Sequence, residues 1–217
     1  MTLIERNLSE VFGLLIPLII TVLLLVYVSK SRFNLIKSIF LAHFSKAYFR
    51  VVENNKEEQE FMILLWSSIF LQGIMIHLYF ISSSFPVYLY YLTIVGLIII
   101  KYLIIKFSSK LLEQAMLFNF YITSFFISVI HYGWLCMPVI VLNILYFNRI
   151  ENGFIQLINA MFLALGLFYF LYRFIFLVNA ANKEKISFLH IFFYLCTLEI
   201  LPIGVISAIV VINYDSF

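Results

Sequence analysis

The sequence has little charge for its length. Only 12% of its 217 residues are charged and 64% are hydrophobic, whereas a soluble domain carries about 25% charged residues. So few charged side chains cannot solvate the surface of a water-soluble globule of this size. A cytosolic enzyme, a secreted disulfide scaffold and a disordered protein are therefore excluded, and the composition indicates a polytopic membrane protein.

Cysteine is also scarce, and its placement predicts no chemistry. Cys136 and Cys196 lack CxxC spacing and lie in apolar runs, which predicts buried thiols. The four histidines show no i, i+4 pairing and predict no metal site. Nucleotide-binding and hydrolase motifs are missing, and no basic stripe indicates nucleic acid. We therefore expect no catalytic residues, cofactor, metal, nucleic acid or identifiable small-molecule ligand.

The sequence does contain a series of long apolar runs. A transmembrane helix needs about 20 apolar residues, and five runs are close to or above this length. They are 11–28, 61–81, 87–105, 154–178 and 186–212. A further run, 116–147, contains Gly133 and Pro138. At about 1.5 Å per residue it is long for one straight crossing and short for two, so we expect one tilted helix broken near these two residues.

The distribution of Lys and Arg favours six spans over seven, because these residues prefer cytoplasmic loops. With the N-terminus outside, ten of the fourteen cations lie in cytoplasmic loops and two lie outside. A seventh span would change this division to nine against three. We predict an all-α, multi-pass transmembrane bundle of six spans, with seven as the alternative. It would form a single membrane domain over residues 1–217, with a periplasmic N-terminus.

The longest loop, 29–60, is cytoplasmic in this topology. Apolar residues recur in it at three- and four-residue spacing, and basic residues lie near or between them. The apolar residues are Phe33, Ile36, Phe40, Phe44, Ala47 and Val51. The basic residues are Arg32, Lys37, Lys46 and Arg50. This pattern predicts a basic amphipathic helix that either lies in the membrane interface or packs on the spans.

Ionisable residues within the spans are the candidate functional residues, because placing them there is costly. Glu199 is the deepest, and Pro202 frees a backbone carbonyl on the same turn because it has no N–H to donate. Glu199 is expected to link helices, to handle protons or to pair with a partner subunit. Arg173 is its natural counter-charge, unless its side chain extends to the interface. His190 and Tyr194 belong to the same predicted polar site.

The segment 188–202, FLHIFFYLCTLEILP, resembles the closing signature of a family of Bacteroidota inner-membrane proteins, domain-of-unknown-function family 4271. The chain is similar to this family at three further places: Ser31-Arg32-Phe33, Gly133 with Pro138, and Tyr172-Arg173. It departs from the family after Arg173, where members often continue with a second Arg and a Gly. Residues 174–181 carry no charge here. The resemblance implies an inner-membrane location and a role in the cell envelope.

Three functions are open at this point. The first is a non-enzymatic inner-membrane subunit or assembly factor of a larger envelope complex, with the phylum's secretion or gliding apparatus as a candidate and with lipid and membrane-protein subunits as partners. The second is a small proton-coupled transporter or proton-conducting protein that uses Glu199. The third is an intramembrane lipid-modifying enzyme, with His131, Tyr132, Arg149 or His190 as candidate residues. We favour the first, because proton relays usually need several titrating groups and few carboxylates other than Glu199 lie in the spans.

Overall fold

The computed structural model describes residues 8–79, 87–112, 115–146 and 152–183. These residues form six helices and no strand, which confirms the all-α fold class. The helices are α1 (Leu8–Leu41), α2 (Lys46–Asn55), α3 (Gln59–Tyr79), α4 (Val87–Leu112), α5 (Ala115–Tyr146) and α6 (Asn152–Lys183).

Among the described residues, three stretches of helix are long and apolar enough to cross a membrane. They are Leu15–Leu41, Gln59–Leu78 and Asn119–Ile144. Each one is long enough for a hydrocarbon core of about 30 Å at about 1.5 Å per residue. Large apolar side chains such as Leu23 of α1 and Leu92 of α4 are 62% and 70% exposed, and a lipid environment suits such surfaces. The chain is therefore a membrane protein, and the total of six spans stays a prediction.

Helices α3 and α5 run parallel and form the centre of the first part of the chain. Phe61 at the start of α3 lies next to Phe126 in the first half of α5, with ring centroids 6.5 Å apart, and further along both helices Ser68 contacts Gly133. Beyond that point the two helices share an apolar cluster. It consists of Leu71, Ile74, Met75, Leu78, Cys136, Val139 and Ile140. Because the contacts advance along both helices together, α3 and α5 point the same way.

Helix α4 runs antiparallel to both of them. Its Tyr91 ring stacks on Phe70, with centroids 4.5 Å apart, in the second half of α3. Further along α4, Nζ of Lys101 lies 4.2 Å from the ring centroid of Phe125, in the first half of α5. A cation over an aromatic face is favourable, so this contact accommodates the Lys101 charge towards the N-terminal end of α5.

The predicted loop 29–60 is largely helical. Helix α1 continues past residue 28 to Leu41 and bends at Arg32, whose backbone is not helical (φ −143°, ψ 57°). The Arg32 guanidinium pairs with Glu58 (Nη1–Oε2 3.1 Å) and Glu60 (Nε–Oε1 3.8 Å). These ion pairs join the beginning of the segment to its end at the start of α3.

A turn at residues 42–45 divides the predicted amphipathic helix into two helices. The N–H groups of Ala42 and Phe44 donate to carbonyls three residues back, at 3.2 and 2.9 Å, and such tight bonds are common where an α-helix ends. Ser45 is extended (φ −143°, ψ 127°) and precedes α2. Residues 33–41, this turn and α2 form a helical hairpin, named the 33–55 hairpin below. The single helix predicted here is therefore replaced by two shorter ones.

The 33–55 hairpin has two apolar faces. The predicted face is the outer one, since Phe33, Phe40 and Phe44 are 64%, 61% and 71% exposed. A second set of residues is buried against the bundle: Leu35, Ile39, Ala42, Phe49 and Val52. Phe49 contacts Phe120 of α5, with ring centroids 4.4 Å apart. The segment thus packs on the spans with a face that the sequence pattern did not identify.

The chain divides into two compact units, Met1–Phe168 and Tyr169–Phe217, and α6 contributes to both. Helices α1 to α5 belong to the first unit. In the second unit, Arg173 and Leu177 are buried one turn apart, whereas Leu171 and Ile175 are exposed. This part of α6 therefore has one buried and one exposed side.

Candidate functional site

Two histidines that are distant in sequence lie together in the first unit. His43 comes from the turn of the 33–55 hairpin, and His131 comes from the middle of α5. Their ring centroids are 5.4 Å apart and their planes meet at 63°, which is an edge-to-face contact. Both residues are buried. The histidine cluster, as used below, comprises His43, His131, Ser124, Phe40 and Trp134.

The hairpin provides a hydrogen-bond acceptor for His131. Nε2 of His131 lies 2.9 Å from the carbonyl oxygen of Ile39. Because a carbonyl oxygen only accepts, Nε2 carries the proton and donates it. Ile39 is in the last turn of α1, where carbonyls lack an α-helical partner, and its carbonyl accepts a 3.2 Å bond from the Ala42 N–H in addition to the bond from His131. His131 of α5 therefore donates a hydrogen bond to the C-terminal end of α1 and holds the hairpin on α5.

Ser124 of α5 makes a second link to the hairpin. Its Oγ lies 3.4 Å from Nε2 of His43, and Ser124 is fully buried. One turn further along α5, Oγ of Ser128 donates to the Ser124 carbonyl at 2.8 Å. Burying hydroxyl groups is tolerated when they bond within the protein. The N-terminal half of α5 thus presents a polar strip towards the hairpin turn.

Aromatic side chains surround His131. The ring centroid of Phe40 lies 6.3 Å from that of His131, and the centroid of Trp134 lies 5.9 Å away. Aromatic rings at these separations attract one another beyond the effect of buried area. The two imidazoles are therefore buried in a mostly apolar site, where they meet a backbone carbonyl and a hydroxyl group, and Phe40 forms the exposed edge of the histidine cluster.

Other buried polar groups also bond to helix backbones. Nε2 of Gln72 in α3 donates to the Val129 carbonyl of α5 at 2.7 Å. Oγ1 of Thr123 donates to the Asn119 carbonyl, four residues back, at 2.8 Å. Interhelical hydrogen bonds and back-bonded hydroxyls of this kind are typical of packed transmembrane helices. The Gln72 bond connects α3 to α5 at the same height as the histidine cluster, whereas the Thr123 bond lies within α5.

The geometry of the cluster suits a structural link between the hairpin and α5. Structural zinc sites usually have four protein ligands and catalytic ones three. Within the described ranges, no three His, Cys, Asp or Glu residues are arranged to hold a metal ion. The cluster offers two imidazoles, and Nε2 of each one faces a protein atom.

Two residues predicted to break a helix lie within α5. Gly133 and Pro138 are both inside the continuous helix Ala115–Tyr146. Gly133 is in close contact with α3: a Cβ atom at this position would lie 2.6 Å from Cα and 2.7 Å from the carbonyl oxygen of Ser68. Real Cβ atoms do not approach backbone this closely. Gly133 is therefore a packing position between α3 and α5.

The structure describes only part of the predicted polar site. Arg173 is 4% exposed, so its side chain lies inside the protein instead of extending to solvent. The predicted residues Glu199, His190, Tyr194 and Pro202 lie outside the described residues, as does Arg149. Their roles, including a pairing of Arg173 with Glu199, stay predictions. The predicted basic residues Arg32, Lys37, Lys46 and Arg50 are all exposed.

Sequence reasoning missed the histidine cluster. His43 and His131 share no local spacing, so periodicity gives no reason to place them together. The available signal was weaker: each is a lone histidine in a strongly apolar context, and buried polar groups need partners. That signal indicates a partner but does not identify it.

Comparisons with known proteins point to one family. No curated protein and no solved structure matches the sequence. The family model described as Domain of unknown function (DUF4271) matches residues 11–210. This range includes the 33–55 hairpin, the histidine cluster and the segment 188–202, which carried the resemblance seen in the sequence. The chain therefore belongs to the DUF4271 family.

Proposed function

We propose that this protein is a non-enzymatic integral membrane subunit or assembly factor of a larger cell-envelope complex. The observation that supports this best is the use made of buried and partly buried polar groups. His131 and Gln72 both donate across a helix boundary to backbone carbonyls. Such bonds fix the relative positions of helices. Polar side chains that bond to the backbones of neighbouring helices stabilise packing, and this suits a structural subunit better than an enzyme active site.

The proposal includes a location. Membership of the family, together with the Bacteroidota resemblance of segment 188–202, supports the inner membrane of a bacterium of that phylum. The secretion or gliding apparatus of the phylum is then a candidate complex. Lipid and other membrane subunits are the expected partners.

We also propose six spans with a periplasmic N-terminus. The parallel arrangement of α3 and α5 supports this, because two spans separated by a single span cross in the same direction. Cations also gather at the end of the bundle where these helices begin: Arg32 pairs with Glu58 and Glu60, and the Lys101 amine lies over Phe125. Lys and Arg favour the cytoplasmic side, so this end is proposed to face the cytoplasm.

The topology predicts a labelling pattern. In a background with Cys136→Ala and Cys196→Ala, Lys46→Cys and Lys106→Cys are expected to react with a membrane-impermeant maleimide only after cells are permeabilised. Ser83→Cys, in the predicted outer turn, is expected to react in intact cells. Labelling of Lys46→Cys in intact cells would contradict the proposed orientation.

The proposed role predicts stable partners. When the tagged chain is extracted from its native membrane with a mild detergent or a nanodisc-forming polymer, other envelope proteins are expected to co-purify in fixed ratio. The matched control is an unrelated multi-pass protein with the same tag and expression level. Recovery of the chain alone under every mild condition would count decisively against a subunit role.

The same preparation distinguishes the proton-conducting alternative. Purified wild type and Glu199→Gln are reconstituted in liposomes that contain a pH-sensitive dye, with a membrane potential as the driving force. Under the proposed function, both give the background rate of empty liposomes. A flux in the wild type that Glu199→Gln abolishes would favour the transporter instead.

A further inference from the structure

The outer face of the 33–55 hairpin combines aromatic and basic side chains. On its first helix, Phe33, Lys37 and Phe40 follow at i, i+4 and i+7, so they share one stripe. On α2, Lys46 and Arg50 are one turn apart. The exposed residues of this face are Phe33, Lys37, Phe40, Phe44, Lys46, Arg50 and Val51.

The hairpin lies near one end of the bundle, where charged residues begin. Arg32, just before the hairpin, pairs with Glu58 and Glu60 at the start of α3. Phe49 of α2 packs on Phe120, which is next to the start of the apolar stretch Asn119–Ile144. Helix α2 thus lies at the height at which a membrane-spanning bundle leaves the hydrocarbon and meets the headgroups, while the hairpin turn extends further along α5, where His43 contacts Ser124 and His131. An exposed apolar face flanked by cations at that height is typical of interfacial helices.

The charge of this face is complementary to an anionic leaflet. Three exposed cations, Lys37, Lys46 and Arg50, flank the exposed aromatic rings. The carboxylates of Glu58 and Glu60 are engaged by Arg32 at the base of the hairpin; of the other two on this segment, Glu53 of α2 is half-buried and the exposed Glu57 lies beyond the end of α2. Cations close to an anionic membrane surface each strengthen binding about fivefold.

We infer that the 33–55 hairpin binds anionic phospholipids. Lys37, Lys46 and Arg50 contact the headgroup phosphates, while Phe33, Phe40 and Phe44 lie among the upper parts of the acyl chains. The buried face of the same hairpin packs on α5, so the lipid-binding segment is fixed to the core of the bundle. The inference does not depend on the proposed subunit role, because it concerns the isolated chain and its lipids.

The first test measures lipid affinity with the purified full chain in a neutral detergent. Binding of phosphatidylglycerol and phosphatidylcholine is titrated by native mass spectrometry. We expect the wild type to bind phosphatidylglycerol at least about tenfold more tightly than phosphatidylcholine, and the triple variant Lys37→Gln/Lys46→Gln/Arg50→Gln to lose most of that preference. Phosphatidylcholine affinity is expected to stay unchanged.

The matched control removes the same number of cations from other places. Lys30→Gln/Lys56→Gln/Lys106→Gln changes residues before the Arg32 bend, after α2 and on α4. This variant is expected to keep the wild-type preference for phosphatidylglycerol. An equal loss in both triple variants would overturn the inference, because net charge alone would then explain the preference.

A second measurement keeps all cations in place. Phe44→Cys, in the Cys136→Ala/Cys196→Ala background, is labelled with an environment-sensitive fluorophore and reconstituted in vesicles of phosphatidylcholine and phosphatidylglycerol. Quenching by a nitroxide carried near the lipid headgroup is expected, with Leu97→Cys, near the middle of the predicted span 87–105 and 40% exposed, as the deep reference and Lys56→Cys as the aqueous one. Quenching mainly by aqueous iodide, or protection from both quenchers by a second protein chain, would overturn the inference.

Discussion

Replacing Gly133 with alanine is expected to destabilise the protein by about 1–3 kcal/mol, the usual cost of inserting a methyl group into a packed interior. The new Cβ would meet Ser68 of α3, at 2.6 Å from its Cα and 2.7 Å from its carbonyl oxygen. Backbone atoms of a packed helix cannot rotate away as a side chain can. The two helices must therefore separate or slide, which also disturbs the neighbouring apolar cluster.

The intrinsic preference of alanine for helices acts in the opposite direction. Glycine to alanine within a helix is favourable by about 1 kcal/mol, which only partly offsets the collision. Gly133→Leu is expected to cost more than Gly133→Ala. Both side chains make the Cβ contact with Ser68, and leucine brings three further carbon atoms into the same packed interface.

Cys136 provides the measurement. It is 1% exposed in the same helix and packs in the α3–α5 cluster, so its reaction with a thiol-reactive dye during heating reports when this interface opens. Cys196 is replaced with alanine so that a single thiol is followed. Gly133→Ala is expected to react at a lower temperature than the parent protein.

Gly96→Ala is the matched control for this experiment. Gly96 lies in α4, and a Cβ atom there would have no heavy atom within 4 Å. The temperature midpoint of Cys136 labelling in Gly96→Ala is expected to stay unchanged or to rise slightly, because alanine favours helix more than glycine does. Equal midpoints for Gly133→Ala and Gly96→Ala would show that the close contact of α5 with Ser68 does not limit stability.

Replacing His131 with leucine is the second change with a large expected effect. Leucine is similar in bulk but removes the imidazole donor of the Ile39 carbonyl, which keeps only the longer bond from the Ala42 N–H at 3.2 Å. Losing one such hydrogen bond costs about 0.5–1.5 kcal/mol. The edge-to-face contact of His131 with His43 and its tilted ring contact with Trp134 are lost as well, at about 0.5–1.5 kcal/mol for such a pair. The hairpin should therefore detach from α5 more readily.

A conservative variant separates the hydrogen bond from packing. His131→Gln keeps an N–H group that can reach the Ile39 carbonyl, so it is expected to restore part of the stability lost in His131→Leu. The readout is protease cleavage in the connection between α2 and α3, compared with the global thermal midpoint. If His131→Leu and His131→Gln were cleaved at the wild-type rate, the imidazole would not hold the hairpin.

The hairpin shows how far sequence patterns reach. The spacing of Phe33, Phe40 and Phe44 predicted one apolar face, and that face exists. The pattern did not reveal that Ile39 and Phe49 form a second apolar face, because a segment that is apolar on two sides has weak periodicity. The turn at 42–45 was also missed, since no Gly or Pro marks it.

Arg173 and Gly133 also show what the sequence indicated and what it did not. The cost of burying charge indicated Arg173 from the sequence alone, and it is buried. At Gly133 the sequence predicted a kink in one tilted helix, and the structure shows one helix over Ala115–Tyr146 and a close contact of Gly133 with Ser68. A glycine in a sequence indicates that a side chain is not tolerated, whereas the neighbour that excludes it is known only from the packing.

The scarcity of charge and the long apolar runs were sufficient to determine a helical membrane protein, because composition and local periodicity act within one segment. Segment 188–202 was sufficient to suggest the family. Only the tertiary structure decided that His43 meets His131, that Gly133 meets Ser68 and which face of the hairpin is covered. Each of these depends on the relative positions of helices that are distant along the chain, and local spacing carries no information about them.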